Sequence, residues 1–586
     1  MRFKIFFALF VFLPFLGPVV QAQDLTLASV PELDALVDFE KDASDFRGVV
    51  LRYREDRSAL LRRYDMAGSL ATVERMQVFY RTWMDALERT DYESLNREGK
   101  IDYVLLRNRL EFERELLRQE RASIDAMRPL LPYIRDLEML QESRRNRVTP
   151  DARATADLLN ATAAEAERLA ASLEGGEQID DMDAVIAMRA ANRLRNVSRV
   201  LQGWFAYYNG YDPLFSWWVP APWERLEEAL RDHAAAIETT YIGDLENGPV
   251  VGNPIGEEGL KAHLKHEMIP YTADELIVIA EKEFAWMEEA LINASRKMGF
   301  GDDWKAAQDA VKNLAVDPGL KPDVVVELEK QSIDFLNEHD WISLPPLASE
   351  VWRMTMMSPE RQRVSPFFLG GETIWISYPT NDMTHDEKLM SMRGNNPHFN
   401  RATVHHELIP GHHLQGFMTS RFNEHRGMFN TPFWGEGWAL YWEMILWDAG
   451  FPRGPEDEIG MLFWRMHRAA RIIFSLSFHL ERMTPQEAVD FLVDRVGHER
   501  ANAEAEVRRS FQGGYSPLYQ VAYMMGGIQF RELFKELVDT GQMTAREFHD
   551  AIMKGGRMPV EMVRARLTGQ ELSRDHETSW RFMEDQ

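Results

Sequence analysis

The stretch Val73-Glu74-Arg75-Met76-Gln77-Val78-Phe79-Tyr80-Arg81-Thr82-Trp83-Met84-Asp85-Ala86-Leu87-Glu88 sets the fold class. Apolar side chains recur at helical spacing from Asp65 to Arg118, as at Val78, Trp83, Met84 and Leu87 and again at Leu105, Leu106 and Leu110, with Arg, Glu and Asp between them. An apolar stripe of that period buries one face of a helix and leaves the other in water, so two or more amphipathic helices are expected here. The same pattern runs through Ala152–Leu173, Asp183–Tyr208, Trp223–Tyr241 and Ala273–Met298. The chain therefore reads as mainly α. Five glycines and two prolines between Gly243 and Gly259 interrupt it, as residues that break helices do, and mark a loop or hinge.

One segment departs from the helical habit. Phe367 to Gly371 leads into Glu372-Thr373-Ile374-Trp375-Ile376-Ser377-Tyr378, closed by Pro379. Alternation and β-branched or aromatic content predict a strand, a small β element in a helical protein. Its edge is a candidate support for an extended peptide, and a structural hairpin is the alternative.

Arg2 and Lys4 precede an apolar run from Ile5 to Leu16, followed by Val20-Gln21-Ala22. A short positive end, an apolar core too short to span comfortably and a small residue at the end form the pattern of a secretory signal. Residues 1–22 are thus expected to be cleaved near Ala22. The rest is expected to be exported, most simply to a periplasm, without stable membrane insertion. Residues 23–360 read as a helical region forming one wall of a cleft and 361–586 as the catalytic zinc-binding region, the two expected to be one continuous unit. The 586 residues hold 67 Lys and Arg against 93 Asp and Glu, a formal net charge of −26, and no cysteine. Thiolate metal sites, disulfides, cysteine nucleophiles and lipid attachment at the cut are excluded. The acid surplus disfavours nucleic acid, whose phosphates require a basic face.

Chemistry concentrates between His398 and Glu443. Six of the 16 histidines fall between His398 and His425, centred on His405-His406-Glu407-Leu408-Ile409-Pro410-Gly411-His412-His413. Neutral imidazoles bind zinc, and a carboxylate beside the ion can take a proton from water. The usual zinc-peptidase motif sets two histidines one helical turn apart. Here two extra residues intervene. On an ideal helix His406 and His412 face about 120° apart, and His413 lies about 10.5 Å along the axis. Pro410 and Gly411 stand between the pairs, so a kink or bulge is expected to restore convergence. Spacing leaves His412 and His413 both open, with His412 the first choice. A third ligand is required for a site that leaves one position to water. In Phe433-Trp434-Gly435-Glu436-Gly437-Trp438-Ala439-Leu440-Tyr441-Trp442-Glu443, a carboxylate among tryptophans needs a cation. Glu436 is the expected ligand, and Glu443, seven residues on, the residue that orients a histidine. An ion pair with arginine is the alternative for each.

His406 to His413, followed by Gly435 to Tyr441, resembles the bacterial domain-of-unknown-function family numbered 885, whose members carry HExxPGHH and EGWALY-type motifs and are thought to be zinc peptidases. Trp434 to Ala439 is also similar to the NEGFA segment of alanyl-aminopeptidase-like gluzincins, which implies a metal-ligand role for Glu436. A motif widened by one residue is known in dipeptidyl peptidase III. Gly513-Gly514-Tyr515-Ser516-Pro517-Leu518-Tyr519-Gln520-Val521-Ala522-Tyr523 resembles the Gly-Tyr-rich segment of thimet-oligopeptidase-like enzymes. That likeness implies tyrosines over the zinc, with Tyr523 best placed to stabilise an oxyanion. Tyr515 and Tyr519 are substrate-binding candidates, with ordinary packing as the alternative. Arg509 is a candidate for a substrate carboxylate, with a structural ion pair as its alternative.

Together these readings imply a large multi-helix metallopeptidase fold with a deep cleft. The expected activity is zinc-dependent hydrolysis of short peptides, with His406, His412 and Glu436 on Zn²⁺ and Glu407 as general base. The alternatives are a non-catalytic metal- or peptide-binding periplasmic protein and a zinc amidase or hydrolase of other substrates. His263-Leu264-Lys265-His266-Glu267 and His498-Glu499 lack a second histidine at workable spacing and are set aside.

Overall fold

The computed structural model describes residues 33–180, 182–243, 252–362, 368–512 and 515–583. The expected signal segment, part of the Gly243–Gly259 loop, Phe367, Gly513 and Gly514 lie outside them. Among the described residues are 25 α-helices and one three-stranded sheet, so the chain is mainly α with a small β element. No described helix is long and apolar enough to cross a membrane.

The predicted helices form, and their starts explain why. The chain between Asp65 and Arg118 divides into Leu70–Glu88 and Arg97–Met127, which begin where the Ser69 and Asn96 side chains accept backbone N–H groups. Asp151, Asp183 and Thr272 do the same for Ala152–Glu174, Ala184–Tyr208 and Ala273–Lys297. A cap of this kind satisfies a donor that the first turn leaves open. The buried stripe of the first helix is Val73, Met76, Phe79, Tyr80, Met84 and Leu87. Val78, expected inside, is 45% exposed, because Phe79 and Tyr80 occupy the inward arc beside it.

Residues 46–110 share one hydrophobic core with residues 260–582, while the helices between Met127 and Ile237 pack a second core of their own. One buried network ties the chain's two ends together. Asp102 accepts from Arg426 Nε and His425 Nε2, each at 2.6 Å, and Arg426 Nη1 donates to the Gly555 carbonyl at 2.7 Å. Burial pushes the Asp102 carboxyl up, but Arg426 and His425 outweigh it and hold the group below the usual carboxylate range. Its stabilising effect is therefore full above the unfolded value of about 3.9, and is lost as pH falls through the folded one. Asp102→Asn is expected to cost about 3–5 kcal/mol, since it strands a buried guanidinium. Thermal unfolding followed by circular dichroism should show this loss at pH 7 and a smaller one at pH 3.

The sheet is small. β1 (Arg353–Met356) runs parallel to β3 (Thr373–Ile376), and β2 (Phe368–Leu369) pairs antiparallel to β3. The predicted strand is thus the middle one, and both its edges are paired. That corrects the expectation of a free edge on this strand: β2 and β3 form the structural hairpin given as the alternative, and β1, from 353–356, covers the other edge. The buried faces of Ile374 and Ile376 pack with Val404 and Leu408, which sets the sheet against the helix bearing the histidine motif.

Candidate metal centre

The motif does not bend within one helix. Pro397–Glu407 ends at Glu407, and a new helix, His412–Thr419, begins five residues on. Between them the Ile409–Pro410 peptide is cis. The expected kink or bulge is therefore a full break, in which His406 lies in the last turn of one helix and His412 opens the next. Gly411 makes the break compact. Its N–H donates to the His405 carbonyl at 3.0 Å, and a Cβ there would stand 1.8 Å from the His406 carbonyl oxygen. Only glycine lets the two helix ends approach so closely.

Other elements clamp this turn. Ser332 Oγ, on the helix Lys321–His339, donates to the Ile409 carbonyl at 2.9 Å, and the Ile409 N–H donates to Glu329 Oε1 at 3.2 Å. Trp438 Nε1 donates to the Pro410 carbonyl at 2.9 Å. Trp438 lies on Pro432–Asp448, which packs on Tyr519–Phe534 with its backbone so close that a Cβ on Gly437 would meet Gly526 Cα at 2.6 Å. This contact brings Glu436 of one helix beside Tyr519 and Tyr523 of the other.

The result is a cluster of His406, His412 and Glu436 whose ligand atoms all lie within 4.8 Å of one another. Glu436 Oε2 is 3.1 Å from His412 Nε2 and 3.5 Å from His406 Nε2. Among the described residues no other three His, Asp or Glu side chains meet in this way. Glu443 Oε1 takes the His406 Nδ1 proton side at 2.7 Å, which leaves Nε2 to face the cluster. His413 turns away, with Nε2 2.7 Å from the Ala348 carbonyl. The rest of the histidine-rich stretch is structural: His398 meets Asp457 at 2.7 Å, His425 meets Asp102, and His405 is buried against Phe451.

These groups open into a cavity of about 410 Å³ lined by His406, Glu407, His412, Glu436, Tyr519 and Tyr523. Phe368, Leu369 and Gly370 form another side, and the Gly371 N–H donates to the Glu407 carbonyl at 3.2 Å. Tyr519 donates its hydroxyl to Glu436 Oε1, a closer approach than packing alone would give. The Tyr523 ring lies nearly parallel to that of His406, with centroids 6.2 Å apart. Tyr515 packs on Tyr519 at 4.3 Å, and Arg509 pairs with Glu506 at 2.5 Å; both also line the cavity. Every lining residue lies between Arg361 and Tyr523. The region up to residue 360 meets the motif turn through Ser332 and Glu329.

Residues 63–567 match the profile of a family described as a bacterial protein of unknown function (DUF885). The chain belongs to this family. A protein from Shewanella oneidensis, provisionally described as a lipoprotein of unknown function, shares the fold at 18% identity and TM-score 0.65, over 90% of this chain and all of that one. A protein from Colwellia psychrerythraea, also provisionally described as a lipoprotein, is similar at 16% identity and TM-score 0.49, over 70% and 74% of the two chains. No curated protein matches the chain.

Electrostatics separate this DUF885 member's cluster from its other histidines. Burial pulls His405 down to about 4. In His406 Glu436 and Glu443 overcome burial and push the imidazole up to about 9, and in His412 Glu436 again reverses the sign. Burial would raise Glu436, but His412 and His406 hold its carboxyl well below the usual range. Two carboxylates, Glu436 and Glu443, thus stand against the two imidazoles. Two imidazole nitrogens and a carboxylate oxygen, with Glu443 orienting His406, could hold a metal ion. Burial raises both Tyr519 and Tyr523 above the phenol range, so their hydroxyls act as donors.

Sequence reasoning passed over Arg468 and Arg471, which also line the cavity. The available signal was charge at three-residue spacing in the otherwise apolar run of Pro455–His479, where a buried cation must meet an anion.

Proposed function

We propose that the chain is an exported zinc-dependent peptidase that hydrolyses short peptides. The observation that carries this reading is the convergence of His406, His412 and Glu436 in a cavity that Glu407 also lines. Pure metal storage would have no use for a carboxylate placed beside the ligands. A bound zinc ion would supply Lewis acidity to the water and to the scissile carbonyl. His406, His412 and Glu436 would hold it, with Glu443 fixing the His406 tautomer. Glu407 takes a proton from the water as its oxygen adds to the carbonyl carbon, and delivers that proton to the leaving amine as the C–N bond breaks. Tyr523, with Tyr519 beside it, donates a hydrogen bond to the oxygen that gains charge. The cavity volume lies within the range of sites for small ligands, and this supports short peptides over folded proteins.

A peptide-library digest with the purified full chain tests the reading. Cleavage should occur, stop with a chelator and return with added zinc. A zinc-loaded chain that leaves every peptide intact would refute it.

A further inference from the structure

Three arginines crowd one side of the same cavity. Arg468 and Arg471, one helical turn apart on Pro455–His479, are 6% and 2% exposed, and Arg509 reaches in from Arg500–Gln512. The guanidinium carbons of Arg468 and Arg471 stand 4.5 and 4.7 Å from the centre of the Tyr523 ring. One carboxylate, Glu506, serves two of the three, with Arg471 Nε at 2.6 Å and Arg509 Nη2 at 2.5 Å. Among the described residues, the one carboxylate paired with Arg468 is Glu443 at 3.8 Å, which His406 already engages. Arg468 is thus the most loosely paired of the three, with Glu436 also facing Arg471 across the cavity. Arg468 Nε, Arg471 Nη1 and Arg509 Nε are moreover buried with no hydrogen-bond partner among the described residues. A buried guanidinium with unfilled donors carries a large desolvation cost unless an anion completes it.

We propose that Arg468, Arg471 and Arg509 form a carboxylate-recognition pocket beside the metal centre, so that the substrate is the free C-terminal end of a short peptide. The proposal rests on the peptidase reading and names the substrate class of that same site. Distance supports it. The Tyr523 ring bridges the His406 ring, at 6.2 Å, to both guanidinium groups. The path from the metal ligands to the arginines thus spans no more than about three residues of extended chain. A carboxylate held there would place a peptide bond near the C-terminus over Glu407. The planar fork of arginine suits a carboxylate, through two parallel N–H donors. An acidic side chain shares this chemistry, and the test separates the two.

The experiment compares kcat/KM for one zinc-loaded chain on three versions of a cleavable pentapeptide: free acid, C-terminal amide, and amide with a glutamate two residues beyond the scissile bond. The free acid should exceed its amide by about 100-fold, the scale of a lost buried charge pair. In Arg468→Gln, and separately in the more exposed Arg509→Gln, the acid-to-amide ratio should fall to near one. A ratio cancels general losses of fold or metal that slow both substrates. Equal cleavage of acid and amide by the unaltered chain would overturn the pocket while leaving the peptidase reading intact. Restoration of the amide by the internal glutamate would overturn the assignment to the C-terminus. Cleavage of none of the three, with zinc bound, would remove the peptidase reading and the pocket with it.

Discussion

Glu407→Gln is expected to lower kcat for peptide cleavage by about 100- to 10,000-fold, the usual contribution of a positioned general base, while zinc content stays at the level of the unaltered chain. The substitution keeps the shape of the side chain and removes only its ability to take a proton. Glu407 lines the cavity beside His406 and His412 but is not one of the three side chains that meet as a cluster. Loss of rate and retention of metal must therefore separate. Steady-state kinetics paired with metal analysis of the same sample reads both. A variant that retains its rate would show that another group carries the proton.

Gly411→Ala should do nearly as much damage from a position that touches no substrate. The added Cβ would meet the His406 carbonyl oxygen at 1.8 Å, its carbon at 2.4 Å and the His405 carbonyl oxygen at 2.6 Å. All three atoms are backbone, so no side chain can swing aside. Relief requires the two helix ends to part, and with them His406 and His412. A displacement of about 1 Å in such a constellation costs on the order of 100-fold, and zinc affinity measured by competition with a chelating dye should fall at least that far. Gly416→Ala is the control, since a Cβ there meets nothing within 4 Å on the same short helix. It should bind zinc as the unaltered chain does.

The helices were legible in the sequence because their apolar stripes and their Ser, Asn, Asp and Thr caps are local signals. Val78 shows the limit: neighbours one and two residues along a helix compete for the inward arc, and Phe79 and Tyr80, the larger rings, took it. The site was legible in its residue types more than in its geometry. A run of histidines around Glu407 marks metal chemistry, yet six histidines yielded only two at the cluster. The choice between His412 and His413 depends on where the second helix starts, and that is decided by Gly411 and by Ser332, Glu329 and Trp438 from distant parts of the chain. Glu443 was readable because two turns of one helix return a side chain to the same face as Glu436. Arg468 and Arg471 were not read, because their meaning depends on Glu506 and Tyr523, which only the fold brings to them. The sheet behaved likewise: the segment at 367–379 announced a strand or a hairpin, and nothing in it announced the parallel partner at Arg353–Met356.

The most direct measurement of the central claim is a crystal structure of the full chain grown with zinc and recorded at the zinc absorption edge. One strong anomalous peak is expected in the cavity, about 2.0–2.2 Å from His406 Nε2, His412 Nε2 and a Glu436 oxygen, with His413 still on the Ala348 carbonyl. A peak on other residues, or no peak in zinc-saturated crystals, would contradict it.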